Sequence, residues 1–120
     1  MSIQAKSYPV DTGVTVRAGD AVVVVAGKLQ LADETSAAVG FAVDPGTAGQ
    51  YVAVRYDGEI YAFADGAIPA GVRVQASDAG DGTVKNGAAL GGRMLGVALS
   101  AAVGGLVHIA VGPFDATLDT

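Results

Sequence analysis

The chain contains one short pattern twice, and this repeat limits the folds open to it more than any other feature. The segment RAGDAV at 17–22 aligns with PAGVRV at 69–74, so that an Ala-Gly pair and a later valine coincide. The offset drifts between 52 and 56 residues, which places the insertions in turns. Each copy alone is too small to close a core. The repeat therefore predicts a domain with internal pseudo-symmetry. Two further pairs of segments match in the same order: VGFAV at 39–43 with LGVAL at 95–99, and 49–54 with 104–109.

The composition favours strands over helices. The 120 residues are 51% hydrophobic but only 6% aromatic, and they include 18 glycines and no tryptophan. Small apolar residues between frequent turns suit short strands. A β-branched run at 22–25 is typical of a buried strand. We expect an all-β fold, a small β-barrel or sandwich, in which Gly40 and Gly96 mark bulges or close backbone approaches.

A β-hairpin is predicted around Asp57-Gly58. Asp-Gly between two alternating segments is a strong signal for a type I′ turn. The register of a two-residue loop places Val54 opposite Tyr61 and Val52 opposite Phe63, on the core side of the ribbon. The other side, which includes Ala53 and Arg55, is mixed and is open to solvent or to a partner.

The length predicts one domain with two short extensions. We assign 1–13 to an N-terminal arm, 14–112 to the β-domain and 113–120 to a C-terminal tail. The pseudo-repeats span about 16–55 and 68–111. The arm is too polar to fold alone, but its alternation suits it to extend an exposed sheet edge.

Charge and cysteine content exclude several classes of function. The formal charge is −5 with only seven basic residues, whereas sequence-independent nucleic-acid binding depends on clustered Lys and Arg. No cysteine is present for disulfides or thiolate metal sites. The start lacks an apolar signal core, and no apolar run is long enough for a membrane helix. We expect a soluble protein made in the cytoplasm that binds neither nucleic acid nor membrane.

Catalytic motifs fail at specific residues. A Ser-His-Asp hydrolase would need His108, but no G-x-S-x-G is present, and strand alternation makes it a surface histidine beside Leu106 and Ala110. After Gly27-Lys28 a phosphate loop would need Ser or Thr, and Leu29 follows. We predict no enzyme, no cofactor and no metal site.

Acidic residues in turns are interpreted as structural. Asp78 and Asp81 lie in a glycine-bearing turn, where calcium is conceivable but the spacing is not that of an EF-hand. Asx hydrogen bonds to the local backbone are favoured instead. In the repeated turn, Val72 stands opposite Asp20, which indicates that the turn does not require a carboxylate.

A biotinyl or lipoyl carrier domain is the alternative small-barrel function. Such domains also have two-fold pseudo-symmetry and a similar Ala-Gly-Asp turn. The carrier lysine must lie at an exposed hairpin tip, between methionines for biotin or after Asp for lipoate. Lys28 lies between Gly27 and Leu29.

The order of elements resembles the small capsid decoration, or cement, proteins of tailed bacteriophages. The segments that carry the resemblance are AGDAVVV at 18–24, VGFAV at 39–43, the strand before Asp57-Gly58, IPAGVRV at 68–74, GTVK at 82–85, and 95–111. It covers roughly residues 10 to 112. One departure is Val72, where many members of the family keep Asp.

The resemblance implies a virion protein on the outer surface of the assembled capsid. It would lock neighbouring major capsid protein subunits together and associate with itself, often as a homotrimer. No catalytic residue is carried over. Contact residues for the capsid or a sister protomer are expected on the arm, the mixed hairpin face and the tail: Ile3, Gln4, Lys6, Tyr8, Ala53, Arg55, Phe114 and Leu118.

Overall fold

The protein folds entirely into β-structure where it is described. The computed structural model describes residues 5–33, 40–55, 58–87 and 94–111, and these contain twelve strands and no helix. The all-β prediction is confirmed. The strands are β1 (Ala5–Pro9), β2 (Thr15–Val16), β3 (Ala21–Val25), β4 (Lys28–Leu31), β5 (Gly40–Ala42), β6 (Gly46–Thr47), β7 (Tyr51–Arg55), β8 (Gly58–Phe63), β9 (Arg73–Ala76), β10 (Val84–Asn86), β11 (Met94–Ala98) and β12 (Leu106–Val111).

Two five-stranded sheets share one strand order. The first sheet runs β1-β7-β5-β3-β4 and the second runs β8-β12-β11-β9-β10, while β2 and β6 form a small third sheet. Each strand of the first sheet therefore has a counterpart at the same place in the second. The two sheets correspond to the two sequence repeats. The structural repeat begins earlier in the chain than the sequence repeat, because β1 and β8 are the first strands of the two copies.

The registers of the two sheets agree as well as their orders. Phe41 faces Arg55 in the first sheet, and Val97 faces Ala110 at the matching place in the second. In the described part of each sheet, a parallel bridge also joins the end of the first strand to the last strand. These bridges link Val10 to Leu29 and Ala64 to Val84.

The predicted hairpin around Asp57-Gly58 is wrong. β7 pairs with β1 and β5, whereas β8 pairs with β12. Tyr56 and Asp57 lie outside the described residues. The chain passes here from one sheet to the other, so the inward face of β7 does not determine that of β8. Val52 and Val54 are buried as expected, but on β8 the buried residue is Ala62, while Tyr61 is 62% exposed.

Part of the predicted arm belongs to the first sheet. Ala5–Pro9 forms β1 and pairs antiparallel with β7 of the same chain. This segment therefore extends an edge of a sheet, as its alternation predicts, but the sheet belongs to the same molecule. Residues 1–4 and the tail at 113–120, with Ile3, Gln4, Phe114 and Leu118, lie outside the described residues.

The buried residues form two clusters that divide unequally between the sheets. The smaller cluster lies on one face of the first sheet and includes Val22, Leu29 and Val54. The larger one contains the counterparts of those residues in the second sheet, together with residues from the opposite face of the first sheet. We call that opposite face, with Ala21, Val23 and Phe41, the outer face of the first sheet. It is buried against the second repeat.

Gly40 and Gly96 are points of close backbone approach, as predicted. A Cβ at Gly40 would lie 2.4 Å from the carbonyl oxygen of Arg55, and one at Gly96 would lie 2.1 Å from that of Ala110. Those carbonyls are themselves counterparts. Pairing of β11 with β9 also shifts register between Met94 and Gly96. Both sheets therefore depend on the absence of a side chain at the same place.

Candidate interaction surfaces

The junction between the two repeats is built around a buried carboxylate. The Asp20 side chain is 1% exposed and accepts hydrogen bonds from the Arg17 backbone N–H (2.7 Å) and from Arg17 Nη2 (2.8 Å). The Arg17 guanidinium carbon lies 3.9 Å from the centre of the Phe63 ring, on β8 of the second repeat. A buried charge needs such partners to offset its lost hydration.

Backbone contacts bring the repeats still closer. The Ala21 N–H donates to the Gly82 carbonyl at 2.8 Å. A Cβ at Gly82 would lie 2.8 Å from the Asp20 carboxyl carbon, and one at Gly19 would lie 2.5 Å from the Tyr61 carbonyl oxygen. We call the region of Tyr61, Phe63 and Gly82 the seam of the second sheet, because it lies along its first and last strands. The Ala-Gly-Asp turn packs on this seam.

The Asp20 carboxylate has a role beyond the backbone of the turn, because it holds the Arg17 side chain that stacks on Phe63 of the second repeat. The backbone of the turn is indeed shared, since Gly19 and Gly71 both donate to counterpart carbonyls, Ala42 and Ala98, at 2.8 Å. The carboxylate serves the contact between repeats, whereas its counterpart Val72 is half-buried and packs against the larger core cluster. The sequence does carry a signal of this difference, because Arg17 and Asp20 are replaced together by Pro69 and Val72 in the second copy.

The exposed side of the second sheet carries an aromatic pair. Tyr61 stacks on His108 with ring centres 4.5 Å apart and 14° between the planes. His108 Nε2 lies 2.9 Å from Glu59 Oε1. The prediction that His108 shares the more exposed face of its strand with Leu106 and Ala110 is confirmed. Sequence reasoning missed Tyr61 as a surface residue because the hairpin prediction placed it in the core.

Carboxylates in and beside the turns accept hydrogen bonds from neighbouring groups. Asp81 Oδ1 accepts from the Thr83 hydroxyl (2.5 Å) and backbone N–H (3.2 Å), which is the predicted Asx arrangement. The hydroxyl bond in particular holds the pKa of the Asp81 carboxyl below its usual value. The Gln30 side chain likewise lowers the pKa of Asp11, by donating to Asp11 Oδ2 at 2.8 Å.

Metal-ligating side chains do not cluster in the described parts of the chain. Within 5–33, 40–55, 58–87 and 94–111, no three His, Cys, Asp or Glu side chains come close enough together to hold a metal ion. In the same ranges no helix is long and apolar enough to cross a membrane.

The predicted contact residues that are described lie along β1 and β7. Lys6 is exposed, and Tyr8 packs partly against the smaller core cluster. Ala53 and Arg55 are half-buried on β7, where Arg55 Nη1 donates to the Glu59 carbonyl at 2.9 Å. Arg55 is thus part of the contact between the sheets. Lys6 and Ala53 remain candidates for a contact with another molecule.

Lys28 meets one of the two requirements for a carrier lysine. It is exposed and pairs with Val25 across the turn Ala26-Gly27, at the tip of the β3–β4 hairpin. Both turn residues have positive φ, 52° at Ala26 and 81° at Gly27, as a type I′ turn requires. The flanking Gly27 and Leu29 still lack the Met or Asp that a biotin or lipoate ligase recognises.

The fold is similar to that of a solved phage protein. It matches the crystal structure of the head fiber gp8.5 N base in bacteriophage phi29 with a TM-score of 0.72 and 18% sequence identity. The match covers 98% of this chain and 100% of that chain. At this identity the likeness concerns the fold. No protein-family model matches the sequence, and neither does any curated protein.

Proposed function

We propose that this chain is a structural protein of a phage head, a decoration protein that binds the outer surface of the assembled capsid. The observation that carries the proposal is the whole-length fold match to a phage head fiber base. It agrees with the order of motifs by which the sequence resembles capsid decoration proteins. In this role the protein contacts the major capsid protein, stabilises the contacts between its subunits and associates with itself as a homotrimer.

The surfaces of the molecule suit that role. Large apolar side chains are exposed at several places on the strands, including Tyr51 at 73% and Tyr61 at 62%. A protein present in many copies on one particle needs only weak individual contacts, since the shell multiplies them. Scattered exposed aromatics on a rigid β-scaffold supply such contacts without a deep pocket.

The test uses the major capsid protein encoded in the same genome as this chain. Particles assembled from it are purified, mixed with the full-length protein and sedimented through a sucrose gradient. We expect the protein to co-sediment, to raise the temperature at which the particles break, and to appear as density on the outside of the shell by electron cryo-microscopy. Failure to co-sediment, or density inside the shell, would overturn the proposal.

The carrier alternative has its own readout. Lys28 at the hairpin tip is the observation that favours it. After co-expression with a biotin or lipoate ligase, the intact mass of the protein would increase by one cofactor group if Lys28 is a carrier lysine. We expect no increase, because the flanking recognition residues are missing.

A further inference from the structure

We propose that the peptide unit between Asn86 and Gly87 is a site of spontaneous deamidation, and that the pairing of β10 with β9 keeps it unreactive in the folded protein. Asn86 is the single asparagine of the chain, and glycine follows it. In deamidation, the backbone nitrogen of the next residue attacks the asparagine side chain. Glycine obstructs that attack least, because it has no side chain of its own. The inference does not depend on capsid binding.

The reaction changes the covalent backbone and needs no co-reactant except water. The Gly87 nitrogen loses its proton to solvent and bonds to the side-chain carbonyl carbon of Asn86. The side-chain amino group takes up a proton and leaves as ammonia, which gives a five-membered cyclic imide. Water then opens the ring at either carbonyl, to aspartate or to isoaspartate. In isoaspartate the main chain runs through the former side chain and is one carbon longer.

Two features of the fold hold the Gly87 nitrogen back from this reaction. Its N–H donates to the Arg73 carbonyl at 2.7 Å, so the nitrogen keeps its proton while that bond lasts. Asn86 itself lies in β10 and pairs with Val74 of β9. Strand residues have an extended backbone with ψ of about +135°, whereas ring closure requires the following nitrogen to swing toward the side chain. Both restraints belong to the β9–β10 pairing.

Asn86 lies at the end of a short edge strand. β10 has three residues and is the last strand of the second sheet. On its other side, the described hydrogen bonds are at Gly82 and Val84, whose carbonyls accept from Ala21 (2.8 Å) and Asp65 (2.7 Å). Asn86 lies beyond both and is exposed. Such strand ends open locally at a lower free energy than the core of a sheet.

The counterpart peptide unit in the first sheet has the same hydrogen bond without the reactive side chain. Leu31 and Ala32 stand there, and the Ala32 N–H donates to the Ala21 carbonyl at 2.9 Å. Deamidation would therefore affect the second repeat. The longer main chain of isoaspartate would move the Gly87 N–H out of register with its acceptor. Val84, which is fully buried on the same strand, would then pack less well in the larger core cluster.

The test follows the intact mass of the full chain at mildly alkaline pH, folded and in guanidinium chloride. Conversion of the amide to an acid raises the mass, and a peptide digest then separates aspartate from isoaspartate at position 86. We expect the folded wild type to react at least about tenfold more slowly than the denatured chain, because the strand must open first. Asn86→Gln is the blank and should keep its mass over the same period.

Two matched core variants separate opening of β10 from unfolding of the whole molecule. Val84→Ala loosens β10, and Val22→Ala makes the same truncation in the smaller cluster of the first sheet, where both valines are 0% exposed in the wild type. We expect Val84→Ala to speed deamidation of the folded chain by about tenfold. Val22→Ala should stay within about twofold of the wild type. Circular dichroism checks that both are folded, and Val84→Thr replaces Val84→Ala if that variant is not.

Each part of the proposal has a result that would overturn it. A denatured wild type that gains no mass would show that Asn86 is not a deamidation site. A folded wild type that reacts as fast as the denatured chain would refute protection by the β9–β10 pairing. Equal acceleration in Val22→Ala and in the β10 variant would show that the reaction requires unfolding of the whole molecule rather than opening of one strand.

Discussion

At the scale of single residues, the two copies of the repeat differ at the positions that form the junction between them. Asp20 and Arg17 form a pair whose carboxylate is buried, and the second copy has Val72 and Pro69 at those places. Removing one member of a buried pair leaves the other without its partner, whereas replacing both with apolar residues often costs little. The junction between the repeats thus contains the Arg17–Asp20 ion pair, whereas the second copy has the apolar residues Pro69 and Val72 at the same places.

Asp20→Val should therefore destabilise the protein more than the double change Arg17→Pro with Asp20→Val. The single variant loses the acceptor for the Arg17 backbone and guanidinium, and we expect a cost of about 1–3 kcal/mol. The double variant reproduces the residues of the second copy and should recover part of that loss. Urea denaturation of the three proteins measures both differences. A single variant as stable as the wild type would show that the carboxylate is not needed.

At the scale of strands and turns, the repeat was readable from the sequence, but the path between its copies was not. The short strands and the close approaches at Gly40 and Gly96 follow from local pattern, because a glycine within an apolar strand usually marks a bulge or the close approach of another backbone. Asp57-Gly58 fits a turn equally well whether the chain folds back on itself or crosses to another sheet. β1 was missed for a similar reason, since its polar alternation does not say which sheet edge it extends.

For the candidate contact residues, the sequence could indicate whether a side chain lies on an exposed or a buried strand face, but not which sheets meet there. Alternation correctly placed His108 on the more exposed face of β12, because the strand itself was correctly predicted. Tyr61 and the junction at Gly82 depend on which sheets meet. That is determined by long-range packing rather than by local pattern.

Gly40→Ala and Gly96→Ala should each lower the free energy of unfolding. The new methyl group would lie against a backbone carbonyl oxygen, 2.4 Å and 2.1 Å away, and the paired strand would have to move. Overpacking of this kind costs about 1–3 kcal/mol. Gly104→Asn is the control, since its Cβ would meet nothing within 4 Å at a φ of 60°. Thermal melts of the three variants make the comparison, and an unaffected Gly96→Ala would contradict the close approach.

At the scale of the whole molecule, two similar sheets pack in an unequal way. The first sheet has a core of its own and also buries its outer face, while the core of the second sheet is continuous with that interface. Phe41 is 0% exposed on the buried face, although it belongs to the first sheet. The second repeat therefore depends on the first to complete its core.

Phe41→Ala should be among the most destabilising single changes. Truncating a fully buried phenylalanine removes its apolar contacts and leaves a cavity, at a cost of about 3–5 kcal/mol. Tyr51→Ala, at a residue that is 73% exposed, is the matched aromatic control and should stay within about 0.5 kcal/mol of the wild type. Chemical denaturation of both variants and the wild type, followed by circular dichroism, gives the comparison. Equal losses would contradict the unequal packing.

The shared strand order has a consequence for how the chain reaches its fold. Every strand of the first sheet has a counterpart in the second with the same neighbours and register. During folding, β1 and β8 thus present similar edges to both β7 and β12, and long-range strand pairing is slow to form. We expect side chains that differ between the copies to select the correct pairing, because Tyr61 stacks on His108 where Ser7 faces Ala53. We therefore expect substitutions that make β1 and β8 more alike to slow folding by allowing their strands to exchange places.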